Sequence, residues 1–292
     1  MESWHLICKM VSRTIFTIMK KTLLLFTVTL FFSAFILKEE VTYTPVSNHN
    51  FDTGEYLGYD VNYGIFNVAK GQMVIDKNLY KINGRKSYKI DVTGKTTGIA
   101  GWLAKVDDKW GVYVDKGSLL PHISYRMIKE NNYRKNERVL FDHKTDKIEY
   151  KLINKETGKY NPSRFFKAPN NVRDMISSFM YLRTLDYSKI KVGDVIAVDA
   201  FFEDEFYDFR MIYKGKEVVK TKFGKVNAIK LVPIMPDNKI FKGENSISVW
   251  LSDDENKIPV RIVAKMFVGK MVVGLEKYDG LLHKLNFVKA KS

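Results

Sequence analysis

The chain is nearly without cysteine. Cys8 is the only one in 292 residues. It precedes an apolar run that reads as an export signal, so a chain processed after that run carries none. That excludes a disulfide framework, a cysteine-ligated zinc and a thiol nucleophile. Other chemistry is missing too. The sequence has no Gly-x-Ser-x-Gly, no His-Glu-x-x-His, no phosphate-cradling glycine loop and no Cys-x-x-Cys. The five histidines, His5, His49, His122, His143 and His283, stand isolated. That suits surface or turn positions better than ligands or general bases. No catalytic residue, metal ligand or cofactor is expected. Long amphipathic helices are also scarce, which argues against a doubly wound α/β sheet.

What is present begins with the export signal. Lys20 and Lys21 precede an apolar run from Thr22 to Leu37, and Lys38, Glu39 and Glu40 follow it. A basic start, an apolar stretch and a polar close form a secretory signal pattern. A retained anchor is the alternative. The run has 16 residues, and as a helix it reaches about 24 Å against a hydrocarbon core of about 30 Å. Cleavage is expected near Ser33–Phe35. No cysteine follows the run, which argues against a lipid-anchored lipoprotein. Met19 is the more natural start, and residues 1–38 are read as an over-extended start plus signal. The expected destination is the periplasm or the periplasmic face of the outer membrane.

The net charge is +15. Residues 1–38 hold five basic side chains and one acid, which leaves 43 basic and 32 acidic ones in the rest, a net +11. Such a surface can attract anionic lipid head groups or envelope polysaccharide, and peripheral membrane association is open. The lysines also lie singly between apolar positions, as on any solvated β surface. Nucleic acid is not expected as a partner: the signal removes the chain from it, and no dense basic cluster appears.

Residues 39–53 are polar and read as a linker. From Glu55 onward period two dominates, as in Tyr59, Val61, Tyr63 and Ile65, in Tyr88, Ile90 and Val92, and in Trp110, Val112 and Val114. Alternation marks strands with one buried face. Turn residues divide the runs at Asn83-Gly84, Lys116-Gly117-Ser118, Glu156-Thr157-Gly158 and Lys214-Gly215-Lys216. Alternation returns in Ile196, Val198, Ala200 and Phe202, in Tyr207, Phe209, Met211 and Tyr213, and in the runs beyond Ile247. One stretch has helical spacing, about 170–184. Val172, Ile176, Phe179 and Met180 share a face, Asn170 or Asn171 can cap it, and Asp174 sits in the first turn. A further turn of helix is possible near Ala100–Lys105. The expected fold is mainly β. It is a large curved antiparallel sheet of about a dozen strands, an open or half β-barrel with one principal α-helix. It forms a single domain over 54–285, with 160–170 as the place where two halves would meet.

The acidic groups Asp107-Asp108, Glu203-Asp204-Glu205 and Asp253-Asp254-Glu255 sit between strands. Neighbours on a strand point to opposite faces, so solvated turns are favoured over calcium ligands or a glycosidase pair. Arg183 ends the helix. There it can serve the helix dipole or a salt bridge, or clamp an anion at a cavity mouth. Tyr181, Trp102, Trp110 and Trp250 are the other candidates for lining a ligand cavity, with ordinary core the alternative.

Several segments together resemble a known family. They are Gly54-Glu55-Tyr56-Leu57-Gly58-Tyr59, Gly94-Lys95-Thr96-Thr97, Val106-Asp107-Asp108, Asp174 to Arg183, Lys220 to Lys225, and Val249-Trp250-Leu251-Ser252-Asp253-Asp254 with Ile258-Pro259-Val260. The sequence looks like a member of the exported bacterial proteins grouped as domain of unknown function 3108, over about residues 51–285. Asn131-Asn132 and Met180 depart from its usual pattern. The resemblance implies no activity. It implies fold kinship with half-barrel lipoprotein carriers of the LolA and LolB type. Three readings follow: a non-catalytic holder of an apolar or amphipathic ligand in the curved sheet, an interaction module for envelope glycan or a partner protein, and, least favoured, a glycan-acting enzyme.

Overall fold

Fifteen strands and two helices are laid out over residues 43–234 and 246–288, the residues described by the computed structural model. The first half holds β1 (Tyr56–Tyr63), β2 (Phe66–Ile75), β3 (Tyr80–Ile82), β4 (Arg85–Thr96), helix α1 (Gly98–Leu103), β5 (Asp107–Asp115), β6 (Pro121–Glu130), β7 (Tyr133–Asp142), β8 (Lys147–Leu152) and β9 (Arg164–Lys167). Helix α2 (Met175–Arg183) follows. The second half holds β10 (Val195–Phe202), β11 (Glu205–Thr221), β12 (Gly224–Pro233), β13 (Ile247–Ser252), β14 (Pro259–Lys265) and β15 (Lys270–Asp279). The apolar run 22–37, the expected cleavage site and Met19 lie outside the described residues. No helix among the described residues is long and apolar enough to cross a membrane.

All the strands join one antiparallel sheet. Its order runs from β10 to β15, then β1, β2 and β4, and on to β9, with β3 paired to β4 as a side hairpin. The first and last strands of the chain therefore meet in the middle of the sheet, where Tyr56 lies opposite Asp279 and Tyr63 opposite Met271. The two open ends are β9 and β10. Register shifts in β1, β5, β11 and β13 bend the sheet so that these ends turn toward each other. Side chains bridge the gap. Phe166 of β9 packs at 5.1 Å on Phe201 of β10, and Arg126 of β6 binds Glu203 at 3.0 Å in the β10–β11 turn. Tyr43 to Ser292 form one compact unit that holds every described strand and all three apolar clusters, and so carries its own core.

Alternation places the apolar residues as expected in β4 and β5, where Tyr88, Ile90, Val112 and Val114 are buried. Helix α2 lies against this concave side. Its Ile176 and Met180 join Val112, Trp250 and Val260, while Leu182 and Phe179 join Tyr213, Leu231 and Leu251. Ser177 and Ser178 are buried too. With six of its nine residues buried and none exposed, α2 is a core element rather than a surface lid. The cleft left between α2 and the wall of β5–β7 is only about 20 Å³.

The structure corrects the sequence reading at five places. Asp174, not Asn170 or Asn171, caps α2. Its carboxylate accepts from the Ser177 and Ile176 amides, and Ser177 Oγ accepts from the Asp174 amide at 3.0 Å. Arg173 cannot start the helix because its amide donates to Asp199 O at 2.9 Å in a parallel bridge to β10. Lys214-Gly215-Lys216 is no turn. It is a bulge inside β11, with Gly215 at φ 90°, where glycine lets the strand bend and continue. The lead-in is no free linker over its described part. Phe51 is 1% exposed in the core, and Asn50 Nδ2 donates to Glu255 O at 2.6 Å. Ile65, read as a buried strand residue, is exposed in the β1–β2 turn, because β1 ends at Tyr63. Tyr207 is likewise exposed, since the start of β11 pairs with β10 alone.

Candidate functional site

The five residues singled out by sequence do not converge. Arg183 is fully buried. Its Nη1 and Nη2 donate to Glu55 Oε1 and Oε2 at 2.6 and 2.7 Å, and Nε and Nη2 donate to Asn256 O at 3.2 and 3.0 Å. The Phe51 ring lies 4.9 Å from the guanidinium. Arg183 thus ties α2 to the start of β1 and to the β13–β14 turn. Tyr181 is half-buried under the Arg173 guanidinium at 4.4 Å. Trp110 and Trp250 both pack in the large apolar cluster, Trp110 stacked on Phe202 at 5.5 Å and Trp250 bonded through Nε1 to Glu217. Trp102 stands alone on α1, 86% exposed.

A cleft of about 610 Å³ lies instead on the convex face of β6–β9. Register builds its floor. Ile123 lies opposite Leu140, Leu140 opposite Glu149 and Glu149 opposite Phe165, one residue per strand in a single row. Tyr43 and His122 line it from the β5–β6 end, and Asn83, Asp142, Lys144 and Lys147 add polar groups. The Lys147 ammonium sits 4.0 Å over the Phe165 ring. Ser163 Oγ donates to Glu149 Oε1 at 2.7 Å, and that hydrogen bond, with Lys151, holds the Glu149 carboxyl below its ordinary range.

Behind the cleft is a compact polar cluster. The Arg85 guanidinium lies 4.1 Å over the Tyr43 ring and donates to Asp115 at 2.7 and 2.9 Å. Asp115 also accepts from the Ser118 amide and hydroxyl at 2.7 and 2.8 Å. Burial raises its carboxyl, but His122, Arg85 and Ser118 outweigh that and hold it far below the ordinary carboxylate range. His122 is a correction to the surface reading of the histidines. It is 1% exposed, its Nε2 is 3.8 Å from Asp115 Oδ2, and neither ring nitrogen has a hydrogen-bond partner among the described residues. His143 Nε2 donates to Pro121 O at 2.8 Å, and burial lowers its pKa. These residues do not form a nucleophilic triad. Ser118 Oγ donates to the carboxylate rather than to an imidazole, as a turn-forming serine does.

The comparisons with known proteins meet this geometry. The model of the family described as "Protein of unknown function (DUF3108)" matches residues 58–276. The chain belongs to the DUF3108 family. No curated protein matches the sequence. Among solved structures, this DUF3108 chain is similar to a β-barrel-like protein of domain of unknown function DUF1849 from Brucella abortus. That match has TM-score 0.50 and 12% identity, covering 78% of this chain and 98% of that one. It is also matched to a hypothetical protein from Chlamydia trachomatis, with TM-score 0.32 and 9% identity over 87% and 97% of the two chains. The Brucella likeness shows the fold alone: a barrel-like sheet.

Sequence reasoning about this DUF3108 member passed over Tyr43, Ile123, Leu140 and Phe165. Their row exists only through the register of four strands. Lys147 and Glu149 carried no signal beyond that of ordinary surface charge. The turn at Lys116-Gly117-Ser118 was visible, but not the ring of Arg85, Asp115 and His122 that it gathers.

Proposed function

We propose that the protein is an exported, non-catalytic binding module of the bacterial cell envelope that takes envelope glycan in the convex cleft of β6–β9. One observation carries this reading: the cleft combines two aromatic rings, Tyr43 and Phe165, with carboxylates, an amide and two lysines on a rigid sheet. Sugars offer apolar C–H faces to rings and hydroxyls to such polar groups, and the lysines add preference for anionic chains. Export rests on the basic start and apolar run before Lys38. A lipid-like ligand inside the curved sheet has less support. Helix α2 fills that side, and Arg183 with Glu55 ties it there.

The test is sedimentation of residues 43–292 with purified peptidoglycan sacculi and with lipopolysaccharide-derived oligosaccharide. The expected result is binding that weakens about tenfold in Phe165→Ala and Tyr43→Ala, as loss of a ring contact worth roughly 1–1.5 kcal/mol requires. Binding unchanged by both substitutions, or no binding to either glycan, rejects the proposal.

A further inference from the structure

The strands place the β1–β2, β14–β15 and β6–β7 turns and helix α1 at one end of the molecule. Three of these carry large apolar side chains that are strongly exposed. Ile65 at 91% and Phe66 at 68% are in and beside the β1–β2 turn, Val268 at 78% and Phe267 at 64% form the β14–β15 turn, and Trp102 at 86% is on α1. The three are neighbours. Tyr63 Oη donates to Val268 O at 2.6 Å, and the Thr97 amide, just before α1, donates to Val68 O at 2.9 Å beside the start of β2. At the next turn the Asn131 amide donates to Lys105 O at 2.7 Å, which ties α1's exit to the β6–β7 hairpin and its half-exposed Tyr133.

Cations stand below the β14–β15 and β6–β7 turns and on either side of α1. Lys265 lies directly opposite Lys270 below Phe267 and Val268, and Lys129 lies opposite Arg134 below the β6–β7 turn. Lys95 and Lys105 bracket α1. Like charges directly opposite across two strands disfavour the hairpin. Carboxylates are fewer here: Asp107, Asp108 and Glu130 on β5 and β6, with Asp107 paired to Lys95 at 3.5 Å.

We propose that this end docks on an anionic phospholipid bilayer, with Ile65, Phe66, Trp102, Phe267 and Val268 entering the head-group boundary and the lysines above them meeting lipid phosphates. Separate apolar tips without a common floor suit a fluid interface better than a rigid protein surface. Indole is favoured at the water–lipid boundary, and clustered lysines add attraction to anionic head groups. This surface is separate from the glycan cleft, whose polar end faces the opposite, β5–β6 side of the sheet.

The test uses residues 43–292, which lack the apolar run 22–37, with sucrose-loaded vesicles of phosphatidylcholine alone or mixed with phosphatidylglycerol. The expected result is co-sedimentation with the mixed vesicles, weaker by about tenfold on phosphatidylcholine alone and in high salt. Brominated lipids should quench Trp102 fluorescence, a signal absent in Trp102→Phe, while Trp110 and Trp250 stay unquenched in the core. Replacing Ile65, Phe267 and Val268 together by Ser should reduce partitioning by about tenfold or more with an unchanged circular dichroism spectrum. Equal sedimentation on both vesicles, absent quenching of Trp102, or partitioning indifferent to the triple substitution would each overturn it.

Discussion

Glu55 and Arg183 form a fully buried ion pair whose guanidinium also donates to Asn256 O and Met180 Sδ. Both charges lie out of water, so each depends on the other. Glu55→Gln leaves the guanidinium uncompensated and is expected to destabilise by about 3–5 kcal/mol in urea unfolding, whereas replacing both by apolar residues of similar volume should cost far less. Gly111 is a second residue whose identity follows from a single neighbour. A Cβ there would stand 2.2 Å from Tyr125 Cζ and 2.6 Å from Asp91 Oδ1, because Tyr125 reaches across β5 to Asp91. Gly111→Ala should cost about 1–3 kcal/mol, and Tyr125→Ala in the same chain should recover part of it, a non-additivity that equilibrium unfolding would read.

At the level of elements, α2 depends on its cap and the β5–β6 turn on a carboxylate. Asp174→Ala removes a carboxylate that meets two helix amides and is expected to cost about 0.5–2 kcal/mol, read by urea unfolding. Asp115 sets an acid limit. Its pKa in the folded chain lies below the unfolded value of about 3.9, so its stabilisation is complete above that value and is lost as pH falls through the folded one. His143 acts in the same direction at higher pH. Burial disfavours its charged form when folded, so stability falls as pH drops below about 6.5, where the unfolded chain takes the proton more readily. Thermal unfolding from pH 7 to pH 3 should therefore show two losses, with His143→Gln removing the first and Asp115→Asn flattening the second. The strands themselves were readable wherever one face is apolar, as in β4 and β5. They were misread where tertiary pairing overrode local composition: Gly215 looks like a turn but bulges, and Arg173 looks helical but pairs with β10.

At the level of the molecule, the sheet is continuous through the β15–β1 seam and open between β9 and β10, where Phe166, Phe201 and the Arg126–Glu203 pair stand in for hydrogen bonds. Side-chain contacts hold an edge less firmly than a ladder does, so opening should begin there. Amide hydrogen exchange is expected to be faster in β9 and β10 than in β1 and β15, and Phe201→Ala should widen the difference while costing about 3–5 kcal/mol of global stability. Equal protection across both regions would show that the gap is closed more tightly than its contacts imply.

By itself the sequence determined the class of fold and the family. Period-two alternation survives any register, and the segments that mark DUF3108 membership are contiguous. Tertiary structure alone decided which residues share each proposed binding surface. The convex row of Ile123, Leu140, Glu149 and Phe165 and the rim of Ile65, Trp102 and Val268 join residues far apart in the chain. A slip of one residue in strand register moves each such side chain to the opposite face, and nothing local in the sequence specifies that register.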